Sequence, residues 1–476
     1  MKNLLYKNWI LLMLVWGTAL TASAQSTDTI KVNKLLEVMI IGDSIPPEII
    51  PVQTLSGAQL KNLSVYSVAD AIRYFAGVQI KDYGGIGGLK TVNVRSLGSQ
   101  HVGVFYDGIE LGNAQNGTVD LGRFSMENMT AISLYNGQKS AIFQSAKDFA
   151  SASSIYMVSR TPEFSGMERN HLSATIKAGS FDVFNPSVLW EHKITEKIST
   201  AFNAEYMSTS GKYKFRTAKT GGYDTTEVRH NGDVTTLRLE GGVFGTLKDG
   251  DWKTKLYFYD SERGYPGAAV KGTPGLFLHQ DRQWDNNFFL QSSFRKKISE
   301  VYSLQLKGKY AYDYLHYLSD PRLDVSTMYV DNHFKQQEGY LSAANLFSIL
   351  PFWTVNASAD VMLNTLNANL VDFVYPRRYT TMTAVATSFD FNKLKLQGSL
   401  LGTFVQESTR IASAAAGNKR QFTPSIIASY QPFNTADFNL RGFYKRIFRM
   451  PTFNDLYYTY IGNIYLEPEY TTQYNV

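Results

Sequence analysis

The sequence predicts a β protein in which a smaller α+β domain precedes a transmembrane antiparallel β-barrel. From about residue 170 onward, apolar and polar residues alternate with a period of two in roughly a dozen runs, with no helical pattern between them. Tyr (30 residues) and Phe (29) are abundant, yet apolar residues make up only 44% of the chain. This combination is typical of strands that are apolar on one face and disfavours a bundle of membrane helices.

Composition also limits the partners and the chemistry. Lys and Arg (47) slightly exceed Asp and Glu (41), for a net charge of +6, but no basic cluster accompanies the excess, so no nucleic-acid partner is predicted. The absence of Cys excludes disulfides, thiolate metal sites and cysteine nucleophiles. The seven His lack the spacing of metal ligands. No cofactor and no metal site is therefore predicted.

Catalytic residues are not predicted either. The chain contains no nucleophile elbow, no H-E-x-x-H motif and no calcium-binding loop of the D-x-D-x-D-G kind. Asp107 and Glu110 could act as a pair of carboxylates, but a surface turn explains them better. The protein is therefore expected not to be an enzyme.

Residues 1–24 are predicted to be a secretory signal peptide. Lys2 and Lys7 give a positive start, an apolar core of twelve residues runs from Trp9 to Leu20, and Ala22-Ser23-Ala24 is a cleavage site before Gln25. A membrane-spanning helix would need about 20 apolar residues, so this core is too short to be one.

Residues 25–50 are predicted to be a leader that carries a short β-prone segment. The segment consists of Leu36, Glu37, Val38, Met39, Ile40 and Ile41. On a flexible leader, such a segment can add as a strand to the sheet edge of a partner. The alternative is the first strand of a globular domain.

The α+β domain is predicted to cover residues 51–161. Val68, Ala71, Ile72 and Phe75 recur at helical spacing, which predicts a helix over 68–76. Ser67 can cap this helix and Gly77 can end it. Two strands are predicted at 92–95 and 102–106, followed by a turn at Asp107-Gly108, and the domain continues through 130–161.

Two Gly-rich loops interrupt this domain. The first follows Tyr83 and Gly84, and a phosphate-loop interpretation of it fails because Leu89 stands where Gly should precede Lys90-Thr91. The second spans 112–117 and contains Asn113, Gln115 and Asn116, whose carboxamides can bind polar ligand edges. Turn formation without any ligand role remains the alternative.

The barrel is assigned to residues 170–476. The runs 237–243, 304–310, 394–400 and 438–445 each place charged or polar residues on one face and apolar residues on the other, as a polar lumen within lipid requires. Aromatic residues near predicted strand ends fit interfacial girdles; these are Trp252, Tyr257, Tyr259, Tyr310 and Tyr312.

Several motifs resemble TonB-dependent outer-membrane receptors. Residues 35–42 resemble the Bacteroidetes-type TonB box "L-x-E-V-V-V-x-G". Residues 67–78 resemble the plug motif "S-V-A-D-A-L-R-x-x-P-G-V", with Ala76 in place of Pro, and 94–108 resemble "IRG…DG", with Ser96 in place of Gly. Residues 448–458 and 462–469 resemble the barrel signature "F-R-x-P-x-F-x-E-L-Y…G-N-x-x-L-x-P-E". The family's usual Gly pair is missing near 143–150.

The resemblance implies a plug domain inside a barrel of the cell outer membrane, surrounded by lipid. A TonB-type periplasmic energy-coupling protein would pull on Leu36–Ile41, and a ligand would dock on the apical plug loops at Tyr83, Gly84, Asn113, Gln115 and Asn116. Arg95 would be a buried plug cation that locks the plug to an acidic barrel residue, or a static salt bridge with no moving part. A surface lipoprotein is a further partner that the resemblance allows.

The ligand implied most directly is cobalamin or a related corrinoid. The run from Val102 to Phe124 resembles the "DG-x-x-L…DL-x-x-F" text of the cobalamin-receptor branch. A ferric siderophore is the alternative within the family. A polysaccharide importer is disfavoured because the leader is too short for the extra domain of those proteins. A soluble secreted β protein is a third class.

The chain is expected to contain only the N-terminal part of the barrel, because the barrel signature lies well inside full-length members. Tyr474-Asn475-Val476 also lacks the terminal aromatic of an outer-membrane barrel. A truncated, non-transporting binding protein is therefore an alternative from another functional class.

Overall fold

The structure is a computed structural model that describes residues 49–83, 85–86, 88–218, 222, 224–266, 281–320, 328–433 and 438–476. It consists of two β-rich parts. The predicted signal peptide and the TonB box, Leu36–Ile41, lie outside the described residues, as does Gly84. In the described part of the chain, no helix is both long and apolar enough to cross a bilayer.

The first part, called the plug below, spans Val52–Ser159 and mixes strands with short helices. Five strands form one sheet in the order β1-β6-β7-β4-β5, in which β4 and β7 run parallel, and β2 and β3 form a separate hairpin. The elements are β1 (Val52–Ser56), α1 (Gly57–Asn62), α2 (Val68–Ile72), β2 (Val78–Asp82), β3 (Lys90–Val94), β4 (Val102–Tyr106), β5 (Ile109–Glu110), β6 (Met129–Tyr135) and β7 (Ser153–Ser159), with 3-10 turns at Ser99–His101, Leu121–Arg123 and Ala146–Phe149.

Helix α2 starts where the sequence predicts but is shorter. The Ser67 hydroxyl accepts a hydrogen bond from the Asp70 backbone N–H and donates one to the Asp70 carboxylate, so Ser67 caps the N-terminus of the helix. The α-helix ends at Ile72, four residues before the predicted end, and continues as looser turns to Gly77 at φ 78°. Burial of Val68 and Ile72 confirms the predicted core face.

The second part, called the barrel sheet, is one antiparallel sheet of fourteen strands within the described residues. Its order is β23-β22-β21-β20-β19-β18-β17-β16-β15-β14-β13-β10-β9-β8, so neighbours in the chain pair in space. The strands are β8 (Asn170–Gly179), β9 (Val183–Lys193), β10 (Ile198–Thr209), β13 (Val234–Leu247), β14 (Gly250–Tyr265), β15 (Asp281–Lys297), β16 (Tyr302–Ser319), β17 (Val330–Leu350), β18 (Trp353–Ala368), β19 (Arg377–Asp390), β20 (Leu394–Ser408), β21 (Lys419–Tyr430), β22 (Leu440–Arg449) and β23 (Glu469–Asn475).

Three smaller elements accompany the barrel sheet. Strands β11 (Tyr213–Ala218) and β12 (Asp224–Arg229) form a hairpin between β10 and β13. A 3-10 turn lies at Ala412–Ala414, and a short helix, α3 (Phe453–Tyr457), lies between β22 and β23. Among the described strands, β8 and β23 each pair on one side only.

The alternation of side chains along the strands gives the sheet one polar and one apolar face. Arg238 and Glu240 are 1% exposed and face the plug, whereas Leu237 is 38% exposed on the opposite face. This confirms the predicted split of the run 237–243. The predicted interfacial girdle is wrong at Tyr257 and Tyr259, because both side chains are buried on the inner face. Tyr257 stacks on Phe289 and packs against Phe124 of the plug.

Candidate functional site

The inner face of the barrel sheet holds the plug through buried charges. The first contact is built on the plug turn Asp107-Gly108, which connects β4 to β5 with both residues at positive φ, 51° and 78°. The Ser159 backbone N–H and hydroxyl donate to the two carboxylate oxygens of Asp107 at 3.1 and 2.6 Å. Asp107 is only 8% exposed, so the expected surface turn is in fact a buried one.

Two lysines of β14 supply the opposite charge. Lys253 Nζ lies 2.9 Å from Asp107 Oδ1, and Lys255 Nζ lies 3.5 Å from Oδ2. Lys253 and Lys255 lie two residues apart on one strand, so both side chains are on the inner face. The barrel wall therefore holds the plug turn at two points.

The next residue, Tyr106, extends this network. Its hydroxyl donates to Glu240 Oε2 at 2.5 Å and accepts from Lys255 Nζ at 2.9 Å. Asn128 of the plug donates to the same Glu240 oxygen at 2.8 Å. Burial, followed by the nearby Glu240 and Asp107 carboxylates, raises the pKa of Tyr106 well above its usual value, so the tyrosine stays neutral and can donate.

The pKa of Asp107 is shifted in the opposite direction. Burial alone would raise it, but Lys255, Lys253 and the Ser159 hydrogen bond outweigh burial and lower the pKa to about 2. Asp107 is therefore ionised at every physiological pH. A second plug carboxylate, Asp148, also has a lowered pKa: burial opposes the shift, and Lys307 and hydrogen bonds from Ser145 and Tyr156 cause it.

Asp148 is the centre of the second buried contact. Lys307 of β16 lies 3.3 Å from Asp148 Oδ2 and donates to the Gly108 carbonyl at 2.6 Å. Tyr156 donates to Asp148 Oδ1 at 2.7 Å. On β22, Lys445 donates to the Ser151 carbonyl at 2.7 Å. Barrel lysines thus bind both a carboxylate and bare carbonyls of the plug.

Arginines of the barrel hold the plug segment near residue 122. Arg238 donates to the Gly122 and Arg123 carbonyls at 3.0 and 2.9 Å and pairs with Glu205 at 2.5 Å. Arg263 lies 3.3 Å from Asp120. The guanidinium groups of Arg238 and Arg263 are both shielded from water, since the two side chains are 1% and 2% exposed.

The structure does not place Arg95 where it could lock the plug to the barrel. Arg95 is exposed, adopts a left-handed backbone conformation at φ 50°, and pairs with none of the described carboxylates. At Asp107 and Asp148 the barrel supplies the cation and the plug supplies the carboxylate, whereas Arg123 of the plug lies 3.7 Å from the carboxylate of Asp313 in the barrel. Sequence reasoning missed Asp107 and Asp148, although the inward position of Lys253, Lys255 and Lys307 follows from strand alternation.

The second Gly-rich loop, 112–117, is called the apical loop below, after its predicted position, and its own asparagines shape it. Asn113 Oδ1 accepts from the backbone N–H groups of Gln115 and Asn116 at 3.0 and 3.1 Å, and Asn116 Oδ1 accepts from the N–H and hydroxyl of Thr118. Gln115 is buried, and its N–H also donates to Gln336 of β17 at 2.8 Å. The side-chain oxygens of both Asn therefore shape the loop, and their NH₂ groups make no hydrogen bond to another described residue.

Helix α3 docks directly on this loop. The N–H of Phe453 donates to the Ala114 carbonyl at 2.8 Å, and the N–H of Asn454 donates to the Gln115 carbonyl at 2.9 Å. Thr452 caps α3 by accepting from the Asp455 N–H at 3.1 Å. The barrel signature found in the sequence is thus the segment that contacts the apical loop.

The first Gly-rich loop lies against a different sector of the barrel. Tyr83 is half exposed, and its N–H donates to the Leu89 carbonyl at 3.0 Å. The neighbouring Gly85 and Ile86 line a depression with Met207 and Arg238, far from the β17 contact of the apical loop. The structure therefore does not place Tyr83 and Asn113 in one cluster.

A cavity of about 200 Å³ lies between the apical loop and the barrel wall. Its charged lining includes Glu110 and Lys147 of the plug, which are paired at 3.0 Å, and Glu338 and Arg378 of the barrel. Drug-sized ligands usually need about 300–1,000 Å³. This cavity is therefore too small for such a ligand while the plug stays in place.

Comparison with known proteins gives two family matches. Residues 48–147 match the model of the TonB-dependent receptor plug domain, and residues 189–476 match the TonB-dependent receptor-like β-barrel. A vitamin B12 transporter, BtuB of Vibrio vulnificus, is 22% identical over 428 residues, which cover 88% of this chain and 62% of the relative. The chain thus spans less than two thirds of that relative.

Solved structures share the fold. The copper transporter OprC superimposes with a TM-score of 0.68 at 14% identity, covering 91% of this chain and 69% of that one. The siderophore receptor PiuA of Acinetobacter baumannii gives a TM-score of 0.64 at 12% identity, covering 89% and 69%.

Proposed function

The chain belongs to the family of TonB-dependent receptors, and we propose from this premise that it imports a scarce, large ligand across the outer membrane. Members of this family are transporters of the outer membrane, not enzymes. The observation that carries the proposal is the plug itself, which fills the polar inner face of the barrel sheet and is held there by buried ion pairs. A ligand can pass only if these contacts yield.

The energy for that movement is proposed to come from a TonB-type periplasmic protein that grips Leu36–Ile41. The cavity of about 200 Å³ between the apical loop and the barrel wall is too small for a drug-sized ligand, so passage at this place needs a movement of the plug, which such a protein would drive. Deleting 36–41 is expected to abolish uptake and to leave ligand binding at the cell surface unchanged. Uptake that persists in the deletion variant would exclude this segment as the coupling site.

The ligand is proposed to be cobalamin or a related corrinoid. Support comes from the resemblance of residues 102–124 to the cobalamin-receptor branch and from the match to a vitamin B12 transporter. Asp107, Leu121 and Phe124, which belong to the matching motifs of that run, are buried, so these three residues indicate relatedness and do not themselves contact the ligand. A ferric siderophore is the second candidate, since siderophore receptors share the fold.

Binding to the native protein in outer-membrane vesicles tests the choice. Saturable binding of cyanocobalamin that an excess of ferric siderophore does not displace supports the corrinoid. Binding of the siderophore alone contradicts it. Binding of either ligand without energy-dependent uptake would instead support the non-transporting binding protein.

The apical loop is proposed to contact the ligand through Asn113, Gln115 and Asn116, with Tyr83 and Gly84 of the first loop. Changing the three carboxamides together to Ala removes ligand donors but also the hydrogen bonds that shape the loop. Asn113→Asp is sharper, because a carboxylate still accepts from the Gln115 and Asn116 N–H groups while the NH₂ donor is lost. Weaker binding in this variant supports a direct contact, and unchanged binding contradicts it.

The predicted export signal, chain length and outer partners are proposals as well. Mass spectrometry of the mature protein should find Gln25 at the N-terminus, and a mass above 53.5 kDa would support the expectation of a longer polypeptide.

The resemblance of residues 35–42 to a Bacteroidetes-type TonB box leads to the proposal that this receptor is of that type and has a surface lipoprotein as a partner. Co-purification of that lipoprotein from cross-linked outer membranes tests the proposal.

A further inference from the structure

Three potential metal ligands meet at the ends of β16 and β17, on the face of the barrel sheet that is turned away from the plug. They are His316, Asp331 and His333, and their ligand atoms all lie within 4.8 Å of one another. His316 and His333 are direct cross-strand partners in the β16–β17 register. The cluster therefore depends on strand pairing, because 17 positions separate the two imidazoles in sequence.

The alternation of β16 shows which face carries the cluster. Lys307 and Lys309 contact the plug, so Tyr310, Tyr312, Tyr314 and His316 are on the outer face. Tyr310 is 46% exposed there, beside the exposed Leu290 and Leu341. The cluster lies six residues beyond Tyr310, toward the long connection between β16 and β17.

That direction is the extracellular one in an outer-membrane barrel, which has short periplasmic turns and long outer loops. The β15–β16 turn at the other end of the strand is short, with β15 ending at Lys297 and β16 starting at Tyr302. The cluster thus lies outside the apolar belt, where an ion can reach it from water.

The distances between the three side chains fit a shared ion. Asp331 Oδ1 lies 2.8 Å from His316 Nε2 and 3.2 Å from His333 Nε2. Two ligand atoms that are each about 2.0–2.1 Å from one metal ion lie about 3 Å apart. The two imidazoles are stacked at 4.0 Å with planes at 13°, so they must tilt apart for both nitrogens to face one ion.

Neighbouring groups hold the cluster in position. Asn369 accepts from the His333 N–H at 2.7 Å and donates to the Asp331 carbonyl at 2.9 Å, which fixes both backbones. Trp284 stacks on His316 at 4.5 Å. The Tyr314 hydroxyl lies 2.7 Å from His333 Nδ1, which leaves Nε2 of His333 free to bind the ion. Metal-bound imidazoles usually make such a hydrogen bond through their second ring nitrogen.

We propose that His316, Asp331 and His333 form a binding site for a divalent transition-metal ion on the outer face of the barrel, beyond its apolar belt. Two imidazoles and one carboxylate suit ions such as Zn²⁺, Cu²⁺ and Ni²⁺, whereas Mg²⁺ prefers ligand sets made of oxygen. The site is separate from the plug and the apical loop.

Isothermal titration of the full chain in detergent, purified without a polyhistidine tag, tests this with Zn²⁺ alone. One Zn²⁺ is expected to bind per chain, and Mg²⁺ at the same concentration should not compete. The double variant His316→Ala, His333→Ala should weaken Zn²⁺ binding by more than about 100-fold, and Tyr314→Phe by roughly 10-fold. Equal Zn²⁺ affinity in the intact chain and the double variant would overturn the proposal, as would no binding to the intact chain.

His192 offers a matched control. It also stacks on a Trp, with Trp190 at 5.6 Å, but its ring nitrogen is hydrogen-bonded to an amide, that of Asn170, and not to a carboxylate. His192→Ala should therefore leave Zn²⁺ binding unchanged. Cu²⁺ electron paramagnetic resonance supplies a second readout, in which two nitrogen couplings are expected for the intact chain and none of them for the double variant. Unchanged couplings in that variant would assign the ion to other residues.

Discussion

The carboxylate of Asp107, in the plug, lies 2.9 Å from the ammonium group of Lys253, in the barrel wall. Lys255 approaches the other carboxylate oxygen, so one plug turn meets two cations of a single strand. Opposite charges this close and this poorly hydrated attract far more strongly than they would in water. The turn between β4 and β5 therefore anchors the plug to the barrel. If the proposed transport moves this part of the plug, it must break the ion pairs of Asp107 with Lys253 and Lys255.

Asp107→Asn is expected to loosen the plug while leaving the barrel sheet intact. The amide keeps the shape of the side chain but removes its charge, at a cost of roughly 2 kcal/mol on the scale of the lowered pKa. Hydrogen exchange of peptides from β4 and β7 should accelerate. Asp251→Asn is the control, because Asp251 of β14 pairs with Arg295 of β15 in an exposed position and such pairs contribute little. Equal exchange in the two variants would contradict the anchor.

The plug–barrel contact should resist acid down to an unusually low pH. Both Asp107 and Asp148 have pKa values below those of ordinary carboxyls. Groups of this kind contribute stability that is fully present above the unfolded pKa of about 4 and lost as the pH falls through the folded value. For Asp107 the loss is expected between about pH 4 and pH 2. Protease protection of the plug, measured after brief exposure to each pH, checks this; release of the plug near pH 5 would contradict it.

Local features of this chain could be predicted from the sequence because neighbours in the chain determine them. The cap at Ser67 and the Asp107-Gly108 turn depend on residues within a few positions. The inner and outer faces of 237–243 follow from alternation alone. The partner of Asp107 does not, because Lys253 is 146 positions away and only the packing of the plug in the barrel brings them together.

The errors have different causes. The family resemblance implied a buried Arg95 paired with an acidic barrel residue, yet Arg95 is exposed, and Arg123 is a plug cation that does lie close to a barrel carboxylate, that of Asp313. Tyr257 was expected at the lipid interface because it is aromatic and near a strand end, but its position two residues after Lys255 places it on the inner face. The His316 and His333 pair escaped any spacing rule because the register of two strands creates it.

Gly117→Ala is expected to disturb the contact between the apical loop and α3. Gly117 has a φ of 75°, and an added Cβ would lie 2.8 Å from the Thr452 methyl group, so the loop or the cap of α3 must shift. Ligand binding should weaken if the loop contacts ligand. Gly166→Ala is matched in backbone strain, at φ 59°, but meets nothing within 4 Å. Weakening in Gly117→Ala alone supports the loop's role, and the same loss in both variants would assign it to strain.

Arg238→Met is expected to be among the most destabilising single changes on the inner face. The substitution leaves the Glu205 carboxylate buried without its cation and frees the Gly122 and Arg123 carbonyls. Breaking a buried pair in this way typically costs about 3–5 kcal/mol. Adding Glu205→Gln should restore part of the loss, because the stranded charge is then gone. Urea unfolding followed by Trp fluorescence measures both variants, with Arg295→Met as the exposed-pair control. If the double variant were no more stable than Arg238→Met alone, the stranded charge would not be the cause, and the lost plug carbonyl contacts would account for the whole effect.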